Sequence, residues 1–404
     1  MRIAPGLLLA AWMGLGAPAL AAAQPAPAAS SEARARFAAF VEGLRPEAEA
    51  RGVSRATFEA AFAGVSGPDP DILARTRKQS EFGRPVWDYL VGAVSPGRIA
   101  RGQAHTARLD PTLAAIEARF GVPRGVLLAF WGIESDFGAS GGRVPTIRAL
   151  ATLAEARFRG PLFREELLAA LTILQRGDVT AAGMTGSWAG AMGQVQFLPT
   201  SFLKHAVDFD GDGHRDIWGS EADALASIAS YLKNLGWNPA LSWGYEVILP
   251  AGFDLAQYRG DLAAFAKRGV RRSDGRPLPG AGTASLFLPG GLGGPVFLIT
   301  ENFEVIRAYN TSDSYALAVG HLADRLSGGP ALAAPWPVKA PRLDKGGLEA
   351  LQAALRARGF YAGEADGRAG PKLREAVRQY QIAEGIPADG YANPALLARI
   401  RPSP

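Results

Sequence analysis

The chain of 404 residues contains no cysteine. Disulfides, thiol nucleophiles, thiolate metal sites and lipid attachment through a cysteine are all excluded. Histidine is nearly as scarce: the four are His105, His205, His214 and His321, scattered without ligand spacing. A zinc hydrolase or a Ser-His-Asp enzyme is therefore poorly supported. There is no concentrated block of lysine and arginine, and no alternation of basic with aromatic residues, so nothing marks a nucleic-acid footprint. The 43 basic side chains outnumber the 38 acidic ones only diffusely, a formal charge of +5 that favours a polyanionic partner. Long apolar runs are missing too. No segment reaches the roughly 20 residues that span a bilayer.

What is present begins at the amino terminus. Arg2 precedes the apolar run Gly6-Leu7-Leu8-Leu9-Ala10-Ala11-Trp12-Met13, and small residues follow at Ala19-Leu20-Ala21-Ala22-Ala23. A charged start, a short apolar stretch and an Ala-x-Ala exit predict a secretory signal over residues 1–23, cut after Ala21 or Ala23. The mature chain is then soluble and periplasmic. With 48% hydrophobic and 20% charged residues it has the composition of a globular protein of two or three domains.

Helical periodicity dominates residues 31–326, with stretches at 31–63, 110–120, 146–157, 162–176, 220–235 and 312–326. Residues 241–310 are instead rich in glycine and proline. Short β-favouring runs occur there at 245–249, 295–299 and 303–306. Residues 327–342 change character again: Gly328-Gly329-Pro330, Ala334-Pro335-Trp336-Pro337 and Ala340-Pro341 predict a semi-rigid linker. Beyond it, 343–400 reads as a small helical module.

Pro123 suits the first turn of a helix, and Val126-Leu127-Leu128-Ala129-Phe130-Trp131 predicts one buried on most sides. Trp131-Gly132-Ile133-Glu134-Ser135-Asp136-Phe137-Gly138 ends it. Glu134 falls one turn beyond Phe130 and Trp131, on the same face. A carboxyl held against aromatic surface loses hydration of its charged form, so its pKa rises and it can donate a proton near neutral pH. Asp136 would point to nearly the opposite side of a helix and forms no obvious acid–nucleophile couple with Glu134. On spacing alone, a helix-end glutamate in a salt bridge is the better reading. The context is Ser187-Trp188-Ala189-Gly190-Ala191-Met192-Gly193-Gln194-Val195-Gln196-Phe197-Leu198-Pro199. Its small residues allow another backbone, or a bulky ligand, to approach closely. Ser187, Gln194 and Gln196 offer groups suited to sugar hydroxyls and N-acetyl groups. A tight turn between core helices fits the same residues.

Together with Tyr309-Asn310-Thr311-Ser312-Asp313-Ser314-Tyr315, these stretches resemble the membrane-bound lytic transglycosylase B family, relatives of lysozyme-like muramidases. The similarity covers most of residues 31–326, and three motifs in the right order turn the reading of Glu134 toward catalysis. The resemblance implies a mainly α (α+β) fold: a lysozyme-like catalytic domain with an embedded small β-containing part. It implies that Glu134 is the general acid and then the base in cleaving peptidoglycan. Ser187, Gln196, Tyr231, Tyr309, Asn310 and Tyr315 match positions lining the family's glycan groove, and Arg159 a basic groove position. In this family the acid protonates the oxygen linking N-acetylmuramic acid to N-acetylglucosamine, and the muramic acid's C6 hydroxyl attacks C1 to form a 1,6-anhydro sugar. No cofactor is required for that chemistry. The implied partners are glycan strands and proteins of wall synthesis or turnover, with the enzyme a monomer. The rival readings are a hydrolytic muramidase and a non-catalytic wall-binding protein.

Asp208-Phe209-Asp210-Gly211-Asp212-Gly213-His214-Arg215-Asp216 has the alternating acids and turn-making glycine of an EF-hand-like loop. Asp208, Asp210, Asp212 and the carbonyl of His214 are candidate ligands for a structural Ca²⁺. Gly219 stands where the loop's last, bidentate glutamate belongs, and Glu221 or Asp223 could substitute from further along; the family's calcium-binding members imply Asp223 as the late acidic ligand. The segment 343–400 resembles the three-helix peptidoglycan-binding module type 1, on Leu351-Gln352, Gly359-Phe360-Tyr361, Asp366-Gly367, Tyr380-Gln381 and Asp389-Gly390. Its apolar residues read as core, and its turns with Tyr380-Gln381 as groove candidates. A tethered wall binder would raise the local concentration of the catalytic domain at an insoluble substrate.

Overall fold

The computed structural model describes residues 30–77 and 84–400, so the signal expected over 1–23 lies outside the described residues. In chain order the first elements are α1 (Ser31–Ala50), α2 (Arg55–Phe62), α3 (Pro70–Arg77), α4 (Val86–Ala93), α5 (Pro96–Arg108), α6 (Asp110–Phe120) and α7 (Arg124–Ser135). The two-residue strand β1 (Val144–Pro145) precedes α8 (Thr146–Glu155) and α9 (Leu162–Arg176). Then follow β2 (Thr185–Gly186), α10 (Pro199–His205) and α11 (Glu221–Asn234). Described residues 30–77 and 100–235 pack as one unit; 84–99 and 236–400 pack as another.

The first unit is built around α7, α8 and α9. On α7 every residue is buried except Arg124 and Glu134. A helix apolar all round can sit only inside a core, so the two polar side chains mark where its surface opens. Gly121, left-handed at φ 73°, ends α6 and lets the chain re-enter as α7. The helix predicted over 31–63 breaks at Arg51-Gly52 into α1 and α2, and Ser54 caps α2 by accepting from the Thr57 amide.

The second unit holds an antiparallel sheet of β3 (Gly244–Ile248), β4 (Arg259–Asp261), β5 (Arg271–Arg272), β6 (Thr283–Phe287) and β7 (Val296–Ile299), ordered β4-β6-β7-β3-β5. Tyr245 and Leu286 both sit opposite Leu298, one on each side of β7. The short α12 (Leu262–Lys267) contributes Leu262 and Phe265 to the core on this sheet. Two helices follow, α13 (Glu301–Asn310) and α14 (Asp313–Leu326). The β-favouring run 303–306 is therefore helical. Thr300 caps α13, Glu301 and Glu304 occupy its first turn, and Phe303 and Ile306 are buried one turn apart.

The carboxy-terminal helices are α15 (Lys345–Ala357), α16 (Pro371–Ala383) and α17 (Pro394–Ile400), closed over Leu351, Leu355, Leu373, Val377 and Tyr380. Two turns in this module repeat one hydrogen-bond pattern. Gln352 Nε2 donates to Asp366 at 2.8 Å while its oxygen accepts from the Gly367 amide at 2.8 Å. Gln381 does the same with Asp389 at 2.7 Å and Gly390 at 2.8 Å. Tyr380 and Gln381, expected at a groove, are thus buried structural residues.

Nor does 327–342 hang free. The Glu246 carboxylate on β3 accepts the amides of Ala333 and Ala334, each at 2.9 Å, and Trp336 packs its ring 6.0 Å from that of Trp87. The module itself is bonded to the sheet. Tyr258 donates to Glu375 at 2.6 Å, and Arg378 donates to the Leu286 carbonyl at 2.6 Å.

Candidate active site

Glu134 occupies the last turn of α7 and is half-buried. The helix does not continue through Asp136. Asp136, Phe137 and Gly138 are all left-handed, at φ 51°, 61° and 84°. Asp136 therefore leaves the helix axis, and its carboxylate meets Arg101 of α5 at 2.7 Å. The Phe137 ring folds back against Trp131, edge to face at 5.6 Å, and lies stacked on His105 at 5.0 Å. Gly132 makes that fold possible, since a Cβ there would stand 2.7 Å from the ring.

The small-residue stretch is a backbone crossing. β1 pairs with β2 (Val144 opposite Gly186), and Met192 bridges to both Gly186 and Phe197. A Cβ on Gly186 would lie 1.9 Å from the Ala191 carbonyl, and one on Gly193 2.6 Å from that of Ile217. The glycines are required by neighbouring backbone. Gln194 is engaged at both ends: its oxygen accepts from the Trp131 indole at 2.8 Å, and its amide donates to the Trp218 carbonyl at 2.9 Å. Gln196 sits at φ 53° and spends its amide nitrogen on the carbonyls of Gly141 and Gly193, both at 2.8 Å. Ser187 Oγ accepts from the Ala191 amide at 3.2 Å. Glu166, buried beneath, receives the Thr200 amide and hydroxyl at 2.9 and 2.8 Å and so holds the start of α10. Burial pushes its pKa up against those bonds.

Tyr231 lies on α11 in the same unit. Its phenol is pushed up to about 12, first by burial and then by the negative charge of Glu134. Tyr231 is thus held protonated, within reach of the Glu134 charge. Arg159 stands at φ 57° in the turn between α8 and α9, its guanidinium 5.4 Å from the Phe158 ring centre.

In the second unit, Tyr309 and Asn310 end α13, Thr311 caps it at φ 51°, and Ser312 caps α14 by accepting from the Tyr315 amide. The buried rings of Tyr309 and Tyr315 lie stacked at 6.4 Å. Asp313 is paired with Arg374 of α16, and Arg307 is 3.7 Å from it.

Oxygens of Asp208, Asp210 and Asp212 come within 4.8 Å of one another. Asp223 lies outside that group. It accepts the amides of Phe209 and Asp216 at 2.7 and 2.8 Å, and so draws both ends of the loop to the start of α11. Burial raises its pKa despite those bonds. The His214 amide donates to Asp212 at 2.8 Å, and Arg215 pairs with Asp178 at 2.6 Å.

The Transglycosylase SLT domain family matches residues 36–324, and a peptidoglycan binding domain family matches 345–400. The chain belongs to this transglycosylase family. The family is one of peptidoglycan-cleaving lyases, and the fold is the lysozyme-like one with a carboxy-terminal helical module. SltB3 from Pseudomonas aeruginosa, solved with NAG-anhNAM-pentapeptide, is 47% identical, with a TM-score of 0.83 over 91% of this chain and 99% of that one. The Escherichia coli lytic transglycosylase Slt35, solved with calcium, is 26% identical, with a TM-score of 0.60 over 72% of this chain and 92% of that one. Membrane-bound lytic murein transglycosylase B of Escherichia coli is 31% identical over 241 residues, 58% of this chain and 65% of the relative, just under two thirds of its length.

Sequence reasoning missed Arg101 and His105. A signal was available: Arg101, His105 and Arg108 recur at helical spacing on one face of α5.

Proposed function

We propose that this transglycosylase cleaves the β-1,4 bond between N-acetylmuramic acid and N-acetylglucosamine, leaving 1,6-anhydromuramic acid ends. Glu134 gives its proton to the bridging oxygen as the C1–O bond breaks. The same carboxylate then takes the proton of the muramic acid C6 hydroxyl as that oxygen bonds to C1. The acid is restored and no water is consumed. A nucleophile already on the substrate carries a high effective molarity, so a second catalytic carboxylate is unnecessary. The observation that carries this reading is that Glu134 alone in the last turn of α7 is not buried, with its negative charge acting on a protonated Tyr231. The anhydro product bound to SltB3 supports the same outcome.

Ser187, Gln196, Tyr231, Tyr309, Asn310, Tyr315 and Arg159 are assigned to glycan binding. Asp208, Asp210 and Asp212 would hold Ca²⁺ with the His214 carbonyl, and Asp223 would complete or brace the loop. Three carboxylates this close repel one another, and a divalent cation would remove that cost. The ion would tie the loop to α11 and take no part in the reaction. The chain works in the periplasm as a monomer after loss of residues 1–23, alongside proteins of wall turnover. No helix among the described residues is long and apolar enough to cross a membrane.

Digesting purified peptidoglycan with wild type and Glu134→Gln, followed by mass spectrometry, tests the assignment. The variant should bind wall and release nothing. Reducing ends in the wild-type digest would favour a hydrolytic muramidase instead, and undiminished clearing by the variant would remove Glu134 from the chemistry.

A further inference from the structure

Two adjacent non-glycine residues in left-handed conformation are costly, because Cβ crowds the carbonyl in each. Asp136 and Phe137 pay that cost directly after Glu134. Such a turn persists only where its surroundings over-determine it, and here the surroundings are specific. Arg101 holds the Asp136 carboxylate at 2.7 Å. One helical turn on, His105 lies over the Phe137 ring at 5.0 Å and against Trp131 at 4.8 Å. His105 is itself fixed: Arg108 donates to its Nδ1 at 2.8 Å, and both Arg108 Nη atoms meet Glu221 at 2.7 Å. Burial, then Arg108, keeps the imidazole pKa below its usual value. Glu221 opens α11, the helix that carries Tyr231.

We propose that α5 is the positioning element of the active site, with Arg101 the positioning residue that sets the Glu134 carboxylate through Asp136. This rests on the reading of Glu134 as the acid. The reason is mechanical. The Asp136 amide bonds to the Gly132 carbonyl at 3.1 Å and the Phe137 amide to that of Trp131 at 3.3 Å, so the turn winds the helix end that bears Glu134. Releasing Asp136 lets that last turn fray, and a proton donor displaced by an ångström loses rate with little loss of binding.

The test uses the full chain and a soluble, peptide-free oligomer of alternating N-acetylglucosamine and N-acetylmuramic acid. Asp136→Asn keeps a side chain that tolerates the left-handed conformation and removes the charge pairing with Arg101. Arg101→Ala removes the partner, and Arg101→Lys restores a cation. Asp136→Asn and Arg101→Ala should each lower kcat 10- to 100-fold with KM within about twofold. The double variant should fall no further, and Arg101→Lys should recover part of the rate. Circular dichroism and wall binding establish that each variant is folded. Wild-type kcat in a folded Asp136→Asn, or effects of the two substitutions that multiply, would overturn the proposal. Activity in Glu134→Gln would instead show that the reading of the acid had failed.

Discussion

The hydroxyl of Tyr258 donates to the Glu375 carboxylate at 2.6 Å, and Arg259 lies 3.0 Å from the same carboxylate. The contact ties the sheet to α16, 117 residues further along the chain. Around it, Arg378 stands 4.4 Å from the Tyr258 ring centre, its pKa depressed to about 10 first by burial and then by Arg374. A buried cation bonded to a carbonyl is a committed contact, expensive to leave half-made. The wall-binding module is therefore built onto the sheet.

Breaking this joint should weaken the whole second unit. Arg378→Ala leaves the Leu286 and Ala388 carbonyls without their donor and opens space over Tyr258. A loss of roughly 2–4 kcal/mol is expected by denaturant unfolding, in one transition. If the module were merely tethered, it would melt separately and the sheet would keep its stability.

Asp324 on α14 gives the same unit a pH dependence. Burial pushes its pKa up to about 7, against a hydrogen bond from the Trp243 indole at 3.1 Å. The folded state thus holds a proton that the unfolded chain releases near pH 4. Stability from this group is full below that pH and is lost as pH rises through 7. Asp324→Asn keeps an acceptor for Trp243, and should raise the melting temperature by about 2–4 °C at pH 8 relative to wild type. At pH 4 the gain should vanish.

Gly142 lies at φ 90°, where a Cβ would stand 2.1 Å from the Gly186 carbonyl. Backbone cannot swing aside as a side chain can, so Gly142→Ala should cost roughly 2–4 kcal/mol. The β1–β2 ribbon carries Gly186 next to Ser187, so turnover should fall with stability. Urea titration and soluble-glycan kinetics measure the two together.

Calcium should raise the melting temperature of the wild-type chain, with chelation reversing the gain. Asp208→Asn with Asp212→Asn should abolish the response. Turnover of soluble glycan at 25 °C should survive chelation, as the proposed structural role of the ion requires.

Local signals in the sequence reached a long way. The apolar run before Glu134 foretold α7 because burial on all sides needs no partner to be visible, and α9 begins and ends at its expected residues. What stayed hidden depends on distant partners. Nothing near Pro335 announces that Glu246 captures the Ala333 and Ala334 amides, and a proline-rich composition reads as linker until that carboxylate is placed. Gln194 looked like a sugar ligand because an amide shows its chemistry but not its partners. Trp131 and the Trp218 carbonyl consume it. Asp136 was set on a helix that in fact ends one residue earlier, so its link to Arg101 went unseen.

In the proposed reaction Glu134 serves as both acid and base while the substrate's own C6 hydroxyl is the nucleophile. Digestion of peptidoglycan in [18O]water, read by mass spectrometry, addresses it directly. Intramolecular attack predicts muramic ends one water lighter than reducing ends and free of 18O. Reducing ends carrying 18O at C1 would show that water, not the C6 hydroxyl, is the nucleophile.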